Sequence, residues 1–174
     1  MVIDLFENHK NKRLIYDDKP EKKIIGIVTF ELDDEIIGIE LQYILEIINI
    51  SNITRLYKIP EYLVGITNLR GQIKPVIDLK KFLNIDNGYI AENAIQEKKG
   101  LLLSFENLDA IVMVDNINKV EWISEDDLRE PPDTASDILK EFTTYLVCTK
   151  SKPIVVISGQ KILTSDLWNQ YREE

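Results

Sequence analysis

Short runs of β-branched and aliphatic residues, each closed off by turn-forming residues, follow one another along most of the chain. No helical stretch between them is long enough for a parallel crossover. Residues 24–32 and 36–41 read as a hairpin whose acidic tip, Asp33-Asp34-Glu35, supplies the turn. Leu41, Ile44, Leu45 and Ile48 recur at three- and four-residue spacing, which predicts a short helix over 41–48. A short strand over 53–57 is ended by Pro60, and strands over 62–69 and 72–79 flank Arg70-Gly71, where Gly71 can take the positive φ of a tight turn. Pro75 falls inside the second of these, and because proline cannot donate to a ladder, that strand is expected at a sheet edge or a bulge.

The second half repeats the pattern loosely. After a polar loop over 84–99, residues 100–105 and 109–115 form a hairpin turned at Glu106-Asn107-Leu108, followed by a strand over 118–123 and an acidic turn or helix over 124–129. Pro131-Pro132-Asp133 breaks any helix, residues 136–142 suit a brief amphipathic one, and 143–148 pairs with 153–157. About ten short strands result, which makes the chain all-β, a barrel or a pair of barrels. Residues 1–22 read as a flexible N-terminal extension, 23–164 as the folded domain, and 165–174 as a C-terminal helix capped by Ser165 with Leu167 and Trp168 turned inward.

Composition narrows the function. Thirty acidic residues against 21 basic ones leave a net charge of -9, so the average surface repels a nucleic-acid backbone. No run approaches the roughly 18 apolar residues of a membrane helix, the N-terminus is too charged for a secretory segment, and Val2 excludes N-myristoylation, so direct membrane insertion is not expected. Catalytic candidates are few. His9, the single histidine, lies in the extension, and Cys148, the single cysteine, falls at the end of an aliphatic strand where a buried structural role is expected. The acidic clusters at 33–35 and 125–127 lack calcium-loop spacing, and no glycine-rich phosphate loop or nucleophile elbow occurs, so neither cofactor nor metal is expected. Asp78 and Asp115 are the remaining acid/base candidates and are more simply strand-end residues.

One segment is more specific. Residues 65–79, Gly-Ile-Thr-Asn-Leu-Arg-Gly-Gln-Ile-Lys-Pro-Val-Ile-Asp-Leu, closely resemble the most characteristic stretch of the CheW-like domain family. Phe30-Glu31-Leu32, Ile44 to Ile48, Ile59 to Ile66 and, downstream, Ile111 to Val120 follow in family order, so the resemblance covers about residues 25–163. It implies two intertwined five-stranded SH3-like β-barrels with short helices and an apolar groove where they meet. It also implies an adaptor without catalysis, cytoplasmic and recruited to receptor arrays, whose partners are the cytoplasmic hairpin tip of chemoreceptors and the regulatory domain of the histidine kinase CheA. Glu46 and Arg70 match functional family positions and are expected as an ion pair beside the groove, with Ile44 as apolar contact; Asn68 and Gly71, of the same Asn-Leu-Arg-Gly turn, complete the expected partner-binding set, Gly71 for the turn's sake. The plainer reading is a surface pair tying helix to turn, worth about 0–1 kcal/mol. Tyr145 stands where the family has a glycine, and Ser158-Gly159 replaces its terminal polar-aliphatic pair. A small β-barrel enzyme using Asp78 and Asp115, or a CheW-like paralogue serving another kinase pathway, are the alternatives.

Overall fold

The structure, a computed structural model, describes residues 22–33, 35–85, 98–131, 137–149 and 152–169. Eleven strands form two sheets among these residues. β1 (Ile24–Leu32) and β2 (Glu35–Glu40) pair as the expected hairpin, and the chain then leaves for the second sheet. That sheet holds β3 (Ile44–Asn49), β4 (Leu63–Leu69), β5 (Gln72–Asp78), β6 (Lys99–Phe105) and β7 (Leu108–Val114) in the order β3-β6-β7-β5-β4. β8 (Asn116–Ser124) returns to the first sheet and is joined there by β9 (Leu128–Arg129), β10 (Thr143–Val147) and β11 (Ile154–Ile157), in the order β8-β1-β2-β11-β10-β9. One sheet therefore has six strands and the other five, rather than five each. The N-terminal hairpin and the C-terminal strands enclose the middle of the chain, and the two lobes interlock.

Three apolar clusters explain why the strands read as unbroken hydrophobic runs. In the first lobe, Ile27, Val147, Ile154 and Val156 fill the interior; in the second, Ile48, Val76, Leu102, Ile111 and Met113 do so. A larger cluster lies between the lobes and takes Val28, Phe30, Ile77, Leu101, Leu103, Val112 and Phe142. Neighbouring residues on one strand thus point into different cores: Leu101 and Leu103 inward between the lobes, Leu102 into the second barrel. With both faces buried, alternation of apolar and polar residues disappears.

Barrel closure in the second lobe comes from the loop after β3. Thr54 and Ile66 exchange backbone hydrogen bonds of 2.8 and 3.0 Å, and the Thr67 hydroxyl donates to the Ser51 carbonyl at 3.1 Å. The approach is so close that a Cβ on Gly65, where φ is +151°, would lie 2.2 Å from the Thr54 carbonyl oxygen. Only this bridge remains of the strand expected over 53–57.

Short helices link the strands: α1 (Leu79–Phe82), α2 (Asp137–Phe142), α3 (Gly159–Thr164) and α4 (Asp166–Asn169). Asp78 caps α1 by accepting from the Lys80 and Lys81 amides. Several expectations are corrected. Residues 44–48 are a strand, and only Leu41–Tyr43 form a 3-10 turn. β5 is interior, between β7 and β4, although its parallel pairing with β7 begins at Val76, so Pro75 has a partner strand on one side only. Cys148 is exposed just beyond β10, and Leu167 is 40% exposed rather than turned inward. His9, the extension over 1–21, most of the 84–99 loop and the end of the last helix lie outside the described residues. Among those described, no helix is long and apolar enough to cross a membrane.

Candidate functional site

β4 and β5 are joined by the two-residue turn Arg70-Gly71, and both residues have positive φ, +53° and +85°. That backbone matches the hairpin turn whose twist suits the flanking strands. Nothing lies within 4 Å of a Cβ built on Gly71, so its glycine answers to φ alone. Asn68 stabilises the bend: its side-chain oxygen accepts from the Gly71 amide at 2.8 Å. Arg70 has no such freedom and occupies a conformation that L-residues avoid.

The guanidinium reaches across the lobe to β3. Arg70 Nη1 donates to Glu46 Oε2 at 2.8 Å and Nη2 to Oε1 at 2.7 Å, a bidentate pair with side-chain exposures of 73% and 33%. β3 and β4 are the two edges of the five-stranded sheet, so the pair spans the seam that Thr54 and Ile66 close from below. In water an exposed pair contributes about 0–1 kcal/mol, which is too little to explain a strained arginine by stability alone.

A bulge decides which side chains accompany the pair. Along β3, Ile44 faces Leu103 and Glu46 faces Leu102, leaving Leu45 as the extra residue. Beyond it, Ile47 lies opposite Leu101. Because Leu101 and Leu103 both belong to the interlobe core, Ile44 and Ile47 share the face that continues from that core to the surface, while Glu46 is on the other face with the ion pair. Ile44 is half-buried and Ile47 is 47% exposed. Ile73, 60% exposed, Asn68 and Thr67 line a shallow depression of about 290 Å³ next to the turn.

Of the five residues expected from the sequence, Glu46, Asn68, Arg70 and Gly71 come together at the turn and its ion pair, whereas Ile44 lies on the other face of β3, against the interlobe core. Ile47 was not among the residues expected; on the strand it shares a face with Ile44 only because the bulge at Leu45 shifts the alternation by one. Asp78 and Asp115 do not converge on one another. Asp78 is the α1 cap, whereas Asp115 and Asp33 each bind Lys80 Nζ at 2.5 Å. Burial opposes the Lys80 charge, yet hydrogen bonds and attraction from both carboxylates outweigh it and hold its pKa above the usual lysine value. Among the described residues no group of His, Cys, Asp and Glu is arranged to hold a metal ion.

The model of the CheW-like domain matches residues 26–167. The chemotaxis protein CheW of Helicobacter pylori is 29% identical over 165 residues, 94% of this chain and 96% of that protein. That of Klebsiella aerogenes is 29% identical over 138 residues, 79% and 80%. The crystal structure of scaffolding protein TtCheW from Thermoanaerobacter tengcongensis superposes with a TM-score of 0.66 at 30% identity, covering 78% of this chain and 89% of that one.

Proposed function

The chain belongs to the CheW-like domain family, and from that premise we propose that it is a chemotaxis adaptor joining the cytoplasmic hairpin tip of a chemoreceptor to the regulatory domain of the histidine kinase CheA. It works on the cytoplasmic side of receptor arrays and performs no catalytic step, in keeping with relatives named as chemotaxis and scaffolding proteins. The observation that carries this reading is the Arg70–Glu46 pair, held by a strained turn at β3, the edge strand whose other face presents Ile44 and Ile47. An apolar strip with a preorganised charged rim fits an amphipathic helical hairpin: the strip supplies affinity and the guanidinium orientation.

The test mixes purified protein with receptor and kinase fragments. A stoichiometric ternary complex with altered kinase output is expected. Arg70→Glu and Glu46→Arg should each weaken receptor binding while leaving the fold intact, because both side chains lie at the surface seam. Wild-type affinity in both variants contradicts the assignment.

A further inference from the structure

β8 is the outermost strand of the six-stranded sheet, nine residues long and paired only with β1 among the described residues. Edges of this length are normally shortened, covered or guarded. This one bears an apolar patch: Trp122 is 68% exposed and Val120 44%, and on β1 beside them Ile24 is 63% exposed. Trp122 lies across Gly26, where a Cβ would come within 2.9 Å of its ring, so the indole is seated on the sheet with its outer surface bare. The pairing Gly26↔Trp122 and Val28↔Val120 puts both side chains on the face that, further along β1, forms the interlobe core. The patch is the part of that face the second lobe leaves uncovered.

We propose that β8 pairs with β8 of a second copy of this chain, antiparallel and centred on Val120. The register follows from charge. A two-fold axis at Val120 sets Lys119 opposite Glu121 of the second copy, and Glu121 opposite its Lys119, so two oppositely charged cross-strand pairs form on one face. On the other face Val120 meets its own copy and each Trp122 reaches diagonally to the facing valine. Lys119 and Glu121 are 3.4 Å apart within the strand, already on a common face and free to exchange partners. A lone edge lysine guards against pairing with arbitrary strands, and in this register its guard is answered only by a glutamate two residues on. The bulge at Asn118 limits the regular ladder to the segment around Val120 and Trp122. Each copy carries a net charge of -9, so the contact is weak and belongs at physiological salt, where repulsion beyond about 8 Å is screened.

Sedimentation velocity of the full chain, at rising concentration and physiological salt, tests the register. A monomer–dimer equilibrium is expected, weakened at least tenfold by Lys119→Glu and by Glu121→Lys, which set like charges opposite one another, and restored by the double reversal. Trp122→Thr should weaken it as well. Circular dichroism checks that each variant is folded. A monomer up to millimolar concentration, a dimer indifferent to the single reversals, or a double reversal that does not restore pairing overturns the proposal. Capture of a different protein by this edge from a chain that stays monomeric overturns it too.

Discussion

Arg70 combines two properties that stability alone would separate: a left-handed backbone conformation and a long charged side chain. Asparagine tolerates that conformation better, so Arg70→Asn should keep or slightly raise the thermal midpoint while receptor affinity falls at least tenfold. Calorimetry and a binding titration read the two effects separately. Gly65 is constrained in the opposite sense. Gly65→Ala drives a methyl into the Thr54 carbonyl at a φ that alanine avoids, and a loss of about 2–4 kcal/mol in chemical unfolding is expected. Tyr145 is buried, and its hydroxyl donates to Glu40 at 3.2 Å. Burial first, then the Glu40 charge, raise its pKa well above the ordinary tyrosine value of 10.0. Below that value the phenol is neutral in both states. As pH rises through it only the unfolded chain ionises, so stability declines from about pH 10 upward. Tyr145→Phe should cost about 1 kcal/mol at neutral pH and flatten the alkaline decline, as measured by unfolding across pH.

The residues over 41–48 show where sequence reasoning succeeds and where it fails. Leu41, Ile44, Leu45 and Ile48 fit a helix, yet the last three lie on a strand in which the bulge at Leu45 shifts the alternation by one. A bulge exists only relative to its partner strand, and β6 is more than fifty residues away in sequence, so nothing local announces it. The turn at 70–71, by contrast, was legible because glycine chemistry is local, whereas Asp78 was read as a strand-end residue and its capping of α1 was not foreseen. Asp78→Ala should lower stability by about 1 kcal/mol through loss of the Lys80 and Lys81 amide contacts, without changing partner binding. Cys148 was misplaced for the converse reason: its aliphatic neighbours suggested burial, but β10 ends at Val147 and the thiol emerges beyond it.

At the scale of the whole molecule, the interlocked path of the chain leaves the lobes sharing one core, so each lobe is a rigid platform for the other. The Lys80 cluster adds a polar tie where the β1–β2 turn, the β7–β8 junction and α1 converge. An adaptor that relays motion needs such rigidity between the places where its partners dock. The proposed receptor contact runs along Ile44 and Ile47 and over the β3 edge to the Arg70–Glu46 pair. The direct measurement is an isoleucine methyl NMR titration with a chemoreceptor cytoplasmic fragment. Shifts concentrated at Ile44, Ile47 and Ile73, with Ile27 and Ile154 unmoved and all of them abolished by Arg70→Asn, are the predicted result. Binding that leaves Ile44 and Ile47 unperturbed, or that survives Arg70→Asn undiminished, contradicts it.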